Sequence, residues 1–150
     1  MSPRGPRCRA SARSCNFAIW WDGDPLRELL NGTRISKWNW EKEVETTLLT
    51  GADCSANNGS KATPSLSADI YGDWREEVIW RSEDNQELRL YTTTIPTDLR
   101  LPTLMHDPQY RLAVAWQNVG YNQPPHPSFF LGDGMKSPPR PQIDTTIINR

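Results

Sequence analysis

Asp69-Ile-Tyr-Gly-Asp-Trp-Arg-Glu-Glu-Val-Ile-Trp80 decides the reading of this chain, because a near copy precedes it at Ile19-Trp-Trp-Asp-Gly-Asp-Pro-Leu-Arg-Glu-Leu-Leu30. In each copy an apolar run enters Gly-Asp, three residues follow, and a glutamate leads into two aliphatic residues. Gly23 and Gly72 are 49 positions apart. A repeat of that length is what one β-propeller blade occupies.

The strands expected around the two turns agree with that unit. Residues 16–21 are apolar and aromatic, 26–30 follow the acidic turn, 35–40 alternate, and 46–49 complete a set of four. A polar segment, 51–64, leads to the second copy, where 66–70, 77–81 and 87–92 read as strands. Residues 111–116 and 128–131 read as further strands, and no strong helix is expected. Between them the segment 117–127, rich in Asn, Gln and Pro, has the character of a binding surface. The prolines of 136–141 predict an extended surface path.

The turns also carry a chemical suggestion, since carboxylates at alternating positions around a tight Gly bend can converge on a hard cation such as Ca²⁺. Counted from Asp69, the second copy offers Asp69, Asp73 and Glu77 at the first, fifth and ninth places. The first copy offers Asp22, Asp24 and Glu28 at the third, fifth and ninth. Backbone carbonyls or water must supply the rest. An acidic β-turn with a solvated glutamate has the same pattern.

With 150 residues, 13 Pro, 9 Gly and 36% hydrophobic residues, the chain is thin in core-forming material for one self-sufficient domain. Seven Trp and four Tyr argue against disorder. A formal charge of -1 gives no electrostatic case for nucleic acid or an anionic membrane, and no apolar stretch is long enough to span a bilayer. Cys8, Cys15 and Cys54 cannot all pair within one chain. His106 and His126 are too few for a histidine-rich metal site. His106-Asp-Pro108 reads as a turn capping a strand, and Asn31-Gly-Thr33 and Asn58-Gly-Ser60 as bare glycosylation patterns. Arg4, Arg7, Arg9 and Arg13 stand in a segment without the apolar stretch of a secretory signal, so 1–14 reads as a disordered leader.

The longest distinctive stretches, Ala68-Asp-Ile-Tyr-Gly-Asp-Trp-Arg-Glu-Glu-Val-Ile-Trp-Arg81, Tyr91-Thr-Thr-Thr-Ile-Pro-Thr97, Leu104-Met-His-Asp-Pro-Gln-Tyr-Arg111 and Ala115-Trp-Gln-Asn-Val-Gly-Tyr-Asn-Gln-Pro-Pro-His126, carry a resemblance. Together with Asn16-Phe-Ala-Ile-Trp-Trp-Asp-Gly-Asp24 they resemble the C-terminal part of rhamnogalacturonan lyases of polysaccharide lyase family 11. The likeness covers residues 15–141, leaving the 1–14 leader and a 142–150 tail. It implies an all-β fold, an eight-bladed β-propeller containing Ca²⁺, of which the last two to three blades stand here. An open stack leaves blade faces and strand edges exposed, so upstream blades of the same propeller are expected as partners.

The resemblance also implies cleavage of the rhamnogalacturonan backbone of pectin by β-elimination. A base must remove the proton beside the uronate carboxylate, and a positive group must neutralise that carboxylate. Asn57-Asn-Gly-Ser-Lys61 resembles the family's Asn-Gly-Thr-Lys stretch, with Ser60 where Thr is usual. By that likeness Asn58, Gly59 and Ser60 bind sugar, Lys61 is the base, and Tyr121 contacts the sugar. Lys61 as a surface lysine and Tyr121 as packing for the prolines after it are the plainer readings. The arginine expected to neutralise the uronate is not in this stretch, so the chain alone is expected to be inactive. A secreted, extracellular setting follows from the substrate. The rival reading is a calcium-stabilised, non-catalytic carbohydrate-binding module with Trp20, Trp21, Trp74 and Trp80 as stacking platforms.

Overall fold

A computed structural model describes residues 16–119 and 122–142. The 1–14 leader lies outside the described residues, as do Gly120, Tyr121 and all but the first residue of the expected tail. Alternation of apolar and polar residues produces two antiparallel sheets. In the first, β1 (Phe17–Ile19), β2 (Glu28–Asn31), β3 (Arg34–Asn39) and β4 (Val44–Thr50) form a meander in chain order. The β2–β3 turn needs the left-handed region at Gly32, φ 64°. An irregularity between Ile35 and Ser36 shifts the β3–β4 register.

The second sheet has β5 (Cys54–Ser55), β6 (Leu66–Ala68), β7 (Glu77–Ser82) and β8 (Leu88–Tyr91). Here the order departs from a meander. β7 pairs with β5 and β6 in tandem along one edge and with β8 along the other. The two-residue β5 was not expected from sequence, being too short to show a period.

The expected strand at 111–116 is instead the end of an α-helix, α1 (Pro108–Trp116), preceded by a 3₁₀ turn at Leu104–His106. Asp107 caps it, its carboxylate accepting the Tyr110 N–H at 2.8 Å, and Pro108 supplies the fixed φ suited to a first turn. So the His106-Asp-Pro108 turn caps a helix and not a strand. Residues 128–131 form no strand.

One apolar core lies between the sheets, where Phe17, Ile19, Leu30 and Ile35 meet Cys54, Val78 and Trp80. Gly51 permits this approach, because a Cβ there would stand 2.9 Å from the Trp80 ring. A second core joins Trp20 and Trp74, from the two repeated turns, to Leu104, Tyr110 and Leu131. The repeats are pinned together by a reciprocal pair. Glu76 N–H donates to the Trp20 carbonyl at 2.8 Å, and Trp20 N–H donates to Glu76 Oε2 at 3.0 Å.

Candidate functional site

Strand direction separates two polar regions. Both acidic turns lie at one end of their sheets. The segment between β4 and β6, which carries Lys61, lies at the other, beside the β2–β3 turn, where Gly32 N–H donates to the Ala62 carbonyl at 2.8 Å.

The Lys61 turn is built by Asn58. Its Oδ1 accepts the Lys61 N–H at 2.7 Å and its carbonyl accepts the Ala62 N–H at 3.1 Å. Its Nδ2 donates to Thr63 Oγ1 at 3.1 Å and to Asn122 Oδ1 at 3.5 Å. Such side-chain bonds to the following backbone are what make Asn a turn former. Gly59, Ser60 and Lys61 are exposed at the tip. Nothing lies within 4 Å of a Cβ built on Gly59, so a ligand has open backbone to approach.

α1 carries the opposing wall. Gln117, buried at its end, pairs with β6 as a strand would: its Oε1 accepts the Ser67 N–H at 2.8 Å and its Nε2 donates to the Ser67 carbonyl at 3.0 Å. Asn118 then donates to the Ser65 carbonyl at 2.7 Å and accepts from Asn122 Nδ2 at 3.1 Å. The result brings Asn58, Asn118 and Asn122 together next to Lys61. Tyr121, expected at this site, lies outside the described residues. Asn118 and Asn122 were not singled out by sequence, although the polar run 117–127 was their signal.

At the other end, the two acidic turns repeat each other's bonds. Asp24 Oδ1 accepts the Leu26 N–H at 2.9 Å, as Asp73 Oδ1 accepts the Arg75 N–H at 3.1 Å. Glu28 Oε2 accepts the Trp21 N–H at 2.9 Å, as Glu77 Oε2 accepts the Ile70 N–H at 2.9 Å. Asp22, Asp24 and Glu28 converge, with ligand oxygens within 4.8 Å of one another, and could hold a metal ion. Lys37 already reaches all three: it pairs with Asp22, with Asp24 at 2.5 Å and with Glu28 at 3.2 Å. Burial pushes the Glu28 carboxyl up to about 7, with the charge of Asp22 adding to the rise. Burial works to lower Lys37, but hydrogen bonds to Asp22 and Asp24 together with the charges of Glu28 and Asp22 hold it above the usual lysine range.

The second set is arranged differently. Asp69 Oδ2 accepts from Thr103 Oγ1 at 2.8 Å and the Leu104 N–H at 2.7 Å, so it ties the turn to the 3₁₀ segment. Asp73 pairs with Arg75, and Glu77 Oε1 accepts from Thr92 Oγ1 at 3.0 Å. Burial raises both Asp69 and Glu77. Between the turns, Glu76 is wholly buried; its Oε1 accepts the Tyr110 hydroxyl at 2.7 Å, and that hydroxyl accepts the Asp69 N–H at 2.9 Å.

The tryptophans expected as stacking platforms do not serve as such. Trp20, Trp21, Trp74 and Trp80 are at most 4% exposed and fill the two cores. Trp20 is further enclosed by the Arg27 guanidinium, 3.6 Å over its ring. Burial of so much apolar area outweighs any surface role.

The sequence profile for rhamnogalacturonan lyase family 11, C-terminal domain, matches residues 2–141. The chain is 63% identical over 132 residues to the rhamnogalacturonan endolyase YesW of Bacillus subtilis strain 168, covering 88% of this chain and 21% of that protein. To the rhamnogalacturonan exolyase YesX of the same strain it is 56% identical over 138 residues, covering 87% and 22%. The crystal structure of YesW superposes with a TM-score of 0.82 at 62% identity over 87% of this chain and 22% of that one. The rhamnogalacturonan lyase PL11 of Bacillus licheniformis gives 0.82 at 63% identity with the same coverage. The chain thus spans about a fifth of the length of the curated relatives it matches.

Proposed function

Because this chain belongs to rhamnogalacturonan lyase family 11, as its C-terminal domain, we propose that it forms one wall of the active cleft of a lyase. The reaction is cleavage of the rhamnogalacturonan I backbone of pectin by β-elimination at galacturonate, outside the cell. The observation that carries this reading is the Asn58 turn, which holds an exposed Lys61 beside the amides of Asn118 and Asn122.

In that reaction Lys61, as the free amine, takes the proton from the carbon next to the uronate carboxylate. The electron pair forms the new carbon–carbon double bond as the bond from the neighbouring carbon to the glycosidic oxygen breaks, and that oxygen leaves with the bonding pair and takes up a proton from water. Asn58, Gly59 and Ser60 hold the sugar through amide, backbone and hydroxyl groups, and Tyr121 stacks on it. The group that neutralises the carboxylate comes from upstream sequence, so that the complete lyase, an eight-bladed propeller, is needed for turnover.

The acidic turns at the far end are structural. Their carboxylate oxygens suit a hard cation, and Ca²⁺ bound there would neutralise carboxylates that burial makes costly. Asp22, Asp24 and Glu28, whose oxygens converge, would hold it at the first turn once Lys37 gives way, and Asp69, Asp73 and Glu77 would hold it at the second. The buried, unbonded Asp69 Oδ1 supports the second set.

The test compares the chain alone, the upstream four-fifths of the parent alone, and the two mixed. Unsaturated uronate product, read by its ultraviolet absorbance with rhamnogalacturonan as substrate, is expected from the mixture and from neither part. Product from the chain by itself overturns the assignment of the neutralising group to upstream sequence.

A further inference from the structure

The two turns differ at one decisive place. The register of the first sheet pairs Leu29 with Ser36, so one step further Glu28 faces Lys37. The register of the second pairs Val78 with Tyr91, so one step further Glu77 faces Thr92. The side chains obey the same correspondence: Lys37 Nζ donates to Glu28 Oε1 at 3.2 Å, where Thr92 Oγ1 donates to Glu77 Oε1 at 3.0 Å. One copy of the repeat therefore carries an ammonium across from its glutamate and the other a neutral hydroxyl.

We propose that Lys37 is the resident cation of the first acidic turn, its ammonium standing where a divalent ion would stand, so that such an ion enters only by displacing it. The charge count supports this. Three carboxylates converge, and Lys37 is the only lysine or arginine among the described residues that pairs with any of them. It touches every one of the three, which a lysine merely crossing the surface would not do. A tethered ammonium carries little of the entropy cost of capturing a free ion, yet supplies one positive charge where Ca²⁺ supplies two. An open cleft of about 490 Å³, lined by Asp24, Leu26, Lys37, Trp38 and Trp40 among others, reaches the cluster from solvent. A free ion and the displaced lysine both have room to pass. The inference rests on the cation reading of the acidic turns for the second half of its content, displacement, but not for the first.

The experiment uses the full 150-residue chain and Lys37→Thr, the substitution that puts across from Glu28 the neutral hydroxyl that Glu77 faces. Thermal melts in EDTA read the resident cation without any metal. Lys37→Thr is expected to lower the melting temperature. Asp24→Asn is expected to lower it in the wild type but to raise it in the Lys37→Thr background, because it then relieves repulsion among carboxylates that no cation neutralises. The same sign in both backgrounds overturns the proposal. Titration with calcium chloride, by calorimetry, reads the displacement. Removing a unit charge at contact distance is expected to tighten Ca²⁺ binding at this turn about tenfold or more. Lys37→Arg, which keeps the charge, is expected to bind as weakly as the wild type. Equal affinity of the Thr variant and the wild type overturns the displacement. A sign reversal in EDTA with no calcium binding by any variant upholds Lys37 as the resident cation and sinks the calcium reading of this turn.

Discussion

Replacing Glu76 by Gln tests how the repeats are locked together. Both carboxylate oxygens accept, one from the Trp20 N–H and one from the Tyr110 hydroxyl, and the side chain is wholly buried. An amide has one acceptor, so its NH₂ must face either the Trp20 N–H or a hydroxyl that already accepts the Asp69 N–H. One buried donor is then left unbonded. A lost hydrogen bond to a charged group and an unsatisfied buried donor each cost roughly 1–3 kcal/mol, so about 2 kcal/mol is expected for Gln. Glu76→Leu, which orphans both donors, should cost about 4 kcal/mol, a large part of the stability of an ordinary domain. Burial pushes the Glu76 carboxyl up, against the Arg27 charge and these hydrogen bonds. Were the buried acid a net burden, Gln would relieve it. Urea denaturation followed by tryptophan fluorescence decides: a Gln variant as stable as the wild type, or more so, refutes the lock.

Asp107→Ala should cost about 1 kcal/mol through loss of the α1 cap, measured by the same denaturation. Partial burial raises the Asp107 carboxyl, but bonds from Ser128 and from the Tyr110 N–H outweigh it and hold the group below its usual range. Its folded pKa being lowered, the contribution is full above about pH 4 and fades as pH falls through the folded value, so the two proteins should converge at acid pH. Gly51→Ala places a methyl 2.9 Å from the fully buried Trp80 ring and should destabilise by roughly 1–3 kcal/mol; a neutral result by urea midpoint denies the close approach. Asn58→Ala in the complete lyase should raise KM and lower kcat, since the turn that presents Lys61 loses its Asn58 bonds; unchanged kinetics removes Asn58 from the site.

The repeat was legible because its turn chemistry and its alternation are local. Gly-Asp fixes the bend and the following Glu-aliphatic run fixes the strand, so β2 and β7 fall where periodicity put them. The helix was not legible, because α1 inverts the usual polarity. It is followed by a buried Gln117 and leaves Leu112 and Trp116 at least half exposed, while only Tyr110 and Ala113 of the helix itself are buried. A moving strand alternation, Leu-Ala-Val-Ala-Trp, disguised it. Tryptophan count gave no warning that four of the rings would be core, since size alone suits both core and sugar platform. In the site, the Asn58–Asn122 contact spans 64 positions and depends on how Gln117 seats the helix against β6, which no local pattern records. Lys37 was missed for a related reason: its role follows from cross-strand register and not from the motif.

The central claim is that the Asn58 turn presents the base of a lyase. It is tested most directly by kcat and KM of the complete parent enzyme carrying Lys61→Ala, with unsaturated uronate formation from rhamnogalacturonan as the readout. A general base contributes on the order of 10²–10⁴-fold. The account predicts a loss of kcat of about 100-fold or more with KM nearly unchanged. A kcat within a few-fold of the wild type contradicts it and returns Lys61 to the surface of an ordinary loop.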